Sequence, residues 1–434
     1  MSVTIRAKTS PPAADTASGG AAGHDVRDVF AERLCEPDGS EPTRASTHYV
    51  YRGQCRALED FNAGLLNGQP LRYKVSVHGP VFATATVDGE PYALSRERST
   101  FGRDGLNLAA LKDMTEGDAS TPQRFWESAN KFGFTFNWGY VSRKFTSFFS
   151  SGLLPERASG LDRRLPTLGD GRFEWQGFLS EKEHPHDRSG PRGLLLNWNN
   201  QSAPGFMHGD DEPYGSVQRV ELFDQWPRHA LLTDAVGIMN RAATEDVRSP
   251  VWPVVSRLLH SGPAPSARDA TVVALLDDWV RRDAPRLDAD GDLIYDEAGP
   301  VIMDALWRPL AEETMRPVLG DLVDDVDAVR GLDGLSGESY VDKDLRTLLG
   351  DRVKGPFNLR YCGGGSLAAC RASLWGVVDD VADDLAAQQG DPDPADWQAP
   401  AARSGFVPGL IPNTFPATNR PTFQQVLELD RHGR

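Results

Sequence analysis

Gly193-Leu194-Leu195-Leu196-Asn197-Trp198-Asn199-Asn200 is followed by Pro204-Gly205 and then by Tyr214-Gly215-Ser216-Val217-Gln218-Arg219. The run of leucines reads as the end of a buried strand, and the amides behind it arrive where a strand stops and a site can open. Carboxamides at such a place are fixed hydrogen-bond donors. Aimed at a tetrahedral oxyanion, they stabilise charge that develops only in the transition state of acyl transfer. Asparagines and a glycine equally suit a plain turn after a strand. The rest of the chain decides between the two.

Ahead of this stretch the pattern is mostly sheet. Tyr73, Val75 and Val77 alternate, then Val81, Ala83, Ala85 and Val87, then Tyr92 and Leu94, with His78-Gly79-Pro80 and Asp88-Gly89 between the runs. Period-two alternation punctuated in this way predicts antiparallel strands joined by tight turns. Phe134, Phe136 and Trp138 repeat the signal, as do Tyr140-Val141 and Phe148-Phe149 beyond a polar turn. Short helices are expected after Gly105, with Leu108, Leu111 and Met114 on one face, and from Ser120-Thr121-Pro122, where a cap residue precedes a proline. Leu161 to Gly171 reads as a loop, and Phe173 to Phe178 as a short strand or turn.

Behind the stretch the texture turns helical. Val220, Phe223, Val236, Ile238 and Met239 fall at helical spacing, Thr271 to Arg282 is amphipathic, and Leu367 to Ala387 is the longest helix expected. On the last, Cys370, Leu374, Val377, Val378, Val381 and Leu385 form one stripe, and Asp379, Asp380, Asp383 and Asp384 a solvated face opposite. Residues 1–22 are rich in Ala, Ser, Thr, Pro and Gly without periodicity and read as a disordered tail. The domain expectation is therefore a tail, 1–22, and one domain, 23–434, with strands mainly in 23–219 and helices and closing strands in 220–434.

The chain has 434 residues, 39% of them hydrophobic and 25% charged, which suits a globular protein with a large core. A net charge of −16 argues against nucleic acid or an anionic membrane as partner. The start, Met1-Ser2-Val3-Thr4-Ile5-Arg6, carries no apolar segment of the kind that directs export. The cysteines point the other way. Cys35 with Cys55 and Cys362 with Cys370 each close a short polar loop, an arrangement that suits disulfides in an oxidising compartment. Four unrelated thiols are the alternative, and no His lies at ligand spacing to favour a metal.

Other constellations are weaker. Asp288-Ala289-Asp290-Gly291-Asp292 lacks the glycine and glutamate positions of an EF-hand and reads as a surface turn. Asp25 and Asp28 could form half of an oxygen-rich calcium site, with Asp210 or Asp211 adding a carboxylate. His78 has no serine elbow to serve and reads as a structural histidine at a strand end.

Taken together, these segments resemble the large β chain of the penicillin acylase family of N-terminal-nucleophile amidohydrolases. The resemblance runs through Asp25 to Leu34, Tyr51 to Cys55, His78-Gly79-Pro80-Val81, Ser95 to Ser99, Phe136-Asn137-Trp138, Ser151-Gly152 and Leu165-Pro166. It continues through Asn197 to Asn200, Pro204-Gly205, Tyr214 to Arg219, Arg360 to Gly365 and Asn419 to Gln425. It implies an α+β fold, the four-layer αββα sandwich, incomplete here because the first β-chain strands are absent, with a helical C-terminal part. It implies a hydrolase of linear amides, acting on carbon–nitrogen bonds other than peptide bonds, with Asn199 in the oxyanion hole and Arg219 positioning the network around an N-terminal amine. It also implies a structural calcium ion held by Asp25, the Arg27 carbonyl, Asp28, the Arg163 carbonyl and Asp210. Export to the periplasm or outside the cell is implied too, as is an α chain as partner in a processed heterodimer.

One departure matters. The family's nucleophile is a serine made N-terminal by cleavage within a Gly-Ser-Asn-x-Trp setting, its α-amino group acting as base, and no such motif occurs in these residues. Removal of Met1 would expose Ser2, but Val3-Thr4 follow it on a tail without core residues, so Ser2 is set aside. The expectation is a truncated acylase that is inactive alone, hydrolysing a small-molecule amide when complete. The competing expectation is a non-catalytic remnant or a split-protein fragment that needs a partner chain.

Overall fold

The computed structural model describes residues 26–417 apart from 104, 118, 143–144, 164, 189–193, 199, 207–214, 224–225, 228–229, 333–334, 354–356, 358, 406–409 and 411–413. Its first half is sheet. β1 (Arg27–Cys35), β2 (His48–Tyr51), β3 (Gln54–Ala57), β4 (Glu59–Leu66), β5 (Gln69–Ser76), β6 (Gly79–Val87) and β7 (Glu90–Arg98) pair in the order β3-β2-β1-β7-β6-β5-β4. Every neighbour on that path is antiparallel.

The alternation read in β5, β6 and β7 reflects sheet surfaces half exposed to water. β1 is different. Its inward side chains are Asp28, Phe30, Glu32 and Leu34, all buried like Val26 just before it, so two carboxylates stand where alternation calls for apolar residues.

α1 (Leu106–Thr115) and α2 (Pro122–Ala129) follow. The Thr121 hydroxyl accepts the Arg124 N–H at 3.2 Å, the cap expected from Thr-Pro. The face predicted for α1 is not a core face, because Leu108 and Leu111 are exposed. β8 (Asn137–Val141) and β9 (Thr146–Ser150) form a hairpin, and β10 (Pro155–Glu156), β11 (Thr167–Leu168), β12 (Gly177–Phe178) and β13 (His186–Arg188) complete this half. β13 extends the hairpin, β10 pairs with β12, and β11 runs parallel to β1 at Phe30 and Ala31. The strand expected at Leu194–Leu196 does not form. Those residues belong to no described ladder, and burial passes instead to Trp198.

The second half is helical: α3 (Leu232–Thr244), α4 (Trp252–Leu259), α5 (Ala267–Arg281), α6 (Gly299–Leu319), α7 (Leu322–Arg330), α8 (Leu335–Leu349) and α9 (Leu367–Gln389), then the short pair β14 (Arg403–Gly405) and β15 (Thr414–Pro416). The main core lies here, with Trp252, Leu258, Leu276, Trp279, Ile302, Leu306, Trp307, Leu374 and Val378 in one cluster. α6 is buried along most of its length although it contains Pro309 and Pro317, which interrupt the helical pattern in the sequence. None of the described helices is long and apolar enough to cross a membrane.

Both disulfides form, Cys35–Cys55 and Cys362–Cys370. The first ties β1 to β3. The second closes the Gly-rich turn onto the first turn of α9. There Gly363 has φ +56°, and a Cβ would stand 2.2 Å from the Cys370 amide nitrogen, so only glycine fits. Replacing Cys35 and Cys55 together by Ala should lower the unfolding free energy by about 2–4 kcal/mol through the loop that is no longer closed. Denaturant titration against the parent measures this, and a change within error would show that β1 and β3 are held by the ladder alone.

Candidate active site

The segments singled out first meet the end of the β8–β9 hairpin. Asn137, the first residue of β8, donates through Nδ2 to Asn197 Oδ1 at 2.9 Å and to the Asn200 carbonyl at 3.1 Å. The Asn200 side chain folds back, its Oδ1 accepting the Trp198 N–H at 2.9 Å. The Gln201 N–H donates to Gln218 Oε1 at 2.8 Å, and Gln201 Nε2 donates to the Phe206 carbonyl at 3.1 Å.

Trp198 anchors the segment. Its ring lies 4.8 Å from that of Phe223 in a small cluster with Leu222, Ile238 and Ala242. The Arg219 guanidinium stands 5.4 Å over the same indole. Arg219 thus reaches the Asn-Trp-Asn-Asn stretch through the ring of Trp198. Asn199 and Asp210 lie outside the described residues. On the helical side, Ser216 donates to Asp342 of α8 at 2.6 Å and the Val217 N–H to Ser339 Oγ at 3.3 Å.

The residues expected around calcium divide in the same way. Asp25 lies outside the described residues. Arg27 and Asp28 open β1 opposite Arg98 and Glu97 of β7. Arg163 lies in the turn before β11, where the Leu165 N–H donates to the Asp162 carbonyl, and β11 pairs with β1 at Phe30 and Ala31. Asp28 is buried and accepts from Arg157 twice, Nε to Oδ2 at 2.6 Å and Nη2 to Oδ1 at 2.9 Å, and from Trp175 Nε1 to Oδ2 at 2.7 Å. Among the described residues, three donors thus occupy this carboxylate, two of them from one guanidinium. Arg157 already supplies Asp28 with a positive partner. The acidic turn predicted at 288–292 is a turn, and Asp288, Asp290 and Asp296 bring carboxylate oxygens within 4.8 Å of one another there, mostly exposed.

A second buried group lies beside Asp28, and the sequence reading reached only its histidine. His78 sits in the β5–β6 turn, stacked on Phe30 at 3.9 Å, with Nδ1 2.7 Å from Glu32 Oε1 and Nε2 2.9 Å from Glu174 Oε1. Two carboxylate acceptors on the two ring nitrogens require both to carry protons. Burial alone would push this imidazole down, but Glu32 and Glu174 outweigh it and raise its pKa. Glu32 Oε1 also accepts from Ser76 and Ser95, each at 2.7 Å. Gly79 makes the turn possible: its φ is +114°, and a Cβ would stand 2.4 Å from the Arg96 carbonyl oxygen. Glu97 completes the group in the wall of a 360 Å³ cavity that Trp175 and Phe178 also line. Burial pushes its pKa up to about 7, aided by Glu174, Asp28 and Glu32 and opposed by His78.

The family model for penicillin amidase matches residues 19–407, and the chain belongs to that family. It is 27% identical over 307 residues to penicillin G acylase from Escherichia coli, a match covering 68% of this chain and 34% of that protein. It is 28% identical over 204 residues to the acyl-homoserine lactone acylase QuiP of Pseudomonas syringae pv. syringae (strain B728a), covering 45% of this chain and 24% of that protein. Its fold is similar to that of a thermostable penicillin G acylase from Alcaligenes faecalis, with a TM-score of 0.72 at 22% identity, over 92% of this chain and 74% of the other. The matches thus span about a third or less of the length of these two curated relatives.

Glu97 gives a test of the buried group. In the unfolded chain its carboxyl titrates near 4.5 and in the fold near 7, so between those values the fold keeps a proton that the unfolded chain releases. Stability should therefore fall as pH rises from about 4.5 to 7 and stay low above it. Glu97→Gln should flatten that slope in thermal unfolding between pH 5 and pH 8, leaving the smaller decline of the same sign contributed by His78. An unchanged slope would place Glu97 in water.

Proposed function

We propose that the chain is part of a penicillin-acylase-type amidohydrolase that cleaves a linear amide joining an acyl group to an amine. What carries the reading is the bracing of residues 197–201 by side-chain amides, with Arg219 over Trp198, in a member of the penicillin amidase family. A turn with no task beyond reversing the chain needs none of this.

In the proposed reaction an N-terminal serine, supplied by sequence beyond these residues, attacks the amide carbonyl while its own α-amino group takes the hydroxyl proton. An amine of that kind titrates at roughly 7.7–8.0, near the working range of a base at neutral pH. Negative charge gathers on the former carbonyl oxygen, where Asn199 donates a hydrogen bond. The amine leaves with a proton, and water releases the acyl group as a carboxylate. Arg219 orients the surroundings of the α-amino group. The names of the relatives support β-lactam side chains or acyl-homoserine lactones as substrates, and acyl groups of lipopeptides belong to the same chemistry.

An apolar surface supports a partner chain. Leu65 and Leu66 of β4, Phe82 of β6 and Leu108 of α1 are exposed, Leu65 by 72%, and β4 ends the strand order of its sheet, so apolar side chains and a sheet edge are open to a partner. The occupant proposed is the α chain of a processed heterodimer, and the same surface favours the second reading, a fragment inactive until complemented. Two disulfides support a periplasmic or extracellular location. Asp25, the Arg27 carbonyl, Asp28, the Arg163 carbonyl and Asp210 would hold a structural calcium ion that offsets the carboxylates at the start of β1.

Two experiments test this. The chain expressed with the coding sequence that precedes it should hydrolyse acyl-amide substrates, and Asn199→Ala should lower kcat by about 10²–10³; an Asn199→Ala enzyme with undiminished kcat removes the oxyanion assignment. Added calcium should raise the unfolding temperature and a chelator lower it, with the response lost in Asp28→Asn; a calcium-insensitive parent removes the metal.

A further inference from the structure

We infer that Asn137 is a positioning residue for the oxyanion donor, a role that rests on the function proposed above. Both N–H bonds of its carboxamide are spent on one stretch of chain. One goes to Asn197 Oδ1, two residues before position 199, and the other to the carbonyl of Asn200, one residue after it. A single side chain therefore contacts the four-residue stretch 197–200 at both its ends, on either side of the position that carries the proposed donor.

The orientation of this amide follows from its partners. The Asn200 acceptor is a backbone carbonyl, which cannot donate, so the Asn137 atom facing it must be the nitrogen. The same nitrogen then obliges Asn197 to present its oxygen. One backbone carbonyl thereby fixes two carboxamides in turn. Asn137 is itself fixed, since it opens β8 opposite Ser150 of β9.

The brace is matched on the other side. Asn200 holds the Trp198 N–H, Gln218 holds the Gln201 N–H, and Trp198 is packed between Phe223 and the Arg219 guanidinium. The backbone on both sides of position 199 thus has named side-chain partners. Asn137 also carries a cost that a purely structural residue would shed. Its Oδ1 is buried and meets no donor among the described residues, so the side chain gives up its acceptor to keep both donors on the bracket. Placement matters this much in an oxyanion hole because a shift of about 1 Å in a donor can cost roughly 10²-fold in rate.

The test uses the complete enzyme and two readouts. Asn137→Asp keeps the shape, removes both donors and sets a carboxylate against the Asn200 carbonyl. We expect kcat for amide hydrolysis to fall by about 10- to 100-fold with KM within about threefold. We also expect part of the loss to be recovered at acid pH, where a protonated carboxyl can donate once. Asn137→Gln, which retains an N–H pair, should restore more activity than Asn137→Ser. Hydrogen exchange of the peptide covering 197–201 should accelerate at least severalfold in Asn137→Asp, with the β8–β9 ladder unchanged.

A parent-like kcat in Asn137→Asp overturns the inference, whether or not exchange accelerates. Equal losses in all three variants with no pH recovery also overturn it, leaving a packing role. If Asn137→Asp does not fold, the Gln and Ser pair decides. An inactive complete parent would instead refute the proposed function, and unchanged exchange at 197–201 would then refute the brace separately.

Discussion

A carboxylate with no exposure inside a sheet must be met by donors, and Glu32 imposes that condition on the strand half of this protein. It draws in the Ser76 and Ser95 hydroxyls and the His78 ring, which fixes the β5–β6 turn against β1 and β7. Asp28, four residues earlier on the same face, draws in Arg157 and Trp175 and so ties down the segment between β10 and β12. That segment follows the β8–β9 hairpin, whose first residue reaches the Asn-Trp-Asn-Asn bracket. Charge buried in one strand is thereby linked through neighbouring elements to the place where chemistry is proposed.

The site lies at a seam. Residues 197–202 are tied to the hairpin through Asn137 and through the Ser202 to Ser150 hydrogen bond at 3.3 Å, whereas Ser216 and Val217 are tied to α8. Asp342, which receives Ser216, is itself held by Arg346 one turn on. Trp198 and Arg219 come from opposite sides of this seam and meet there. An arginine on an indole face suits such a joint, because it tolerates small sliding while keeping both groups desolvated.

The hairpins from β5 to β7, the capped α2, and α5 and α9 were legible because each follows its period and is bounded by Gly, Pro or a cap. β1 was not, since Asp28 and Glu32 occupy its buried face and invert the polar alternation on which strand reading depends. α6 was hidden by Pro309 and Pro317, whose burial in a helix only tertiary packing can explain. The leucines at 194–196 misled in the other direction: a short apolar run has no period of its own and joined no ladder. At the site, the sequence pointed to the Asn-Trp-Asn-Asn stretch and to Arg219 by resemblance, but not to Asn137 as their support. Its partners are some sixty residues away, and no spacing rule reports a contact at that range.

The main core has a further consequence. Among the described residues its buried members run from Val251 to Trp397, with Val217 alone outside that span, and the Cys362–Cys370 bridge lies within it. A stretch that owns nearly all of its apolar partners can open and close as one cooperative unit, independent of the sheet. Such a unit is expected to hold slowly exchanging amides, as its fully buried Trp252, Trp279, Trp307 and Leu258 suggest. The seam at the proposed site therefore also marks where the unit that holds the main core meets the strand half.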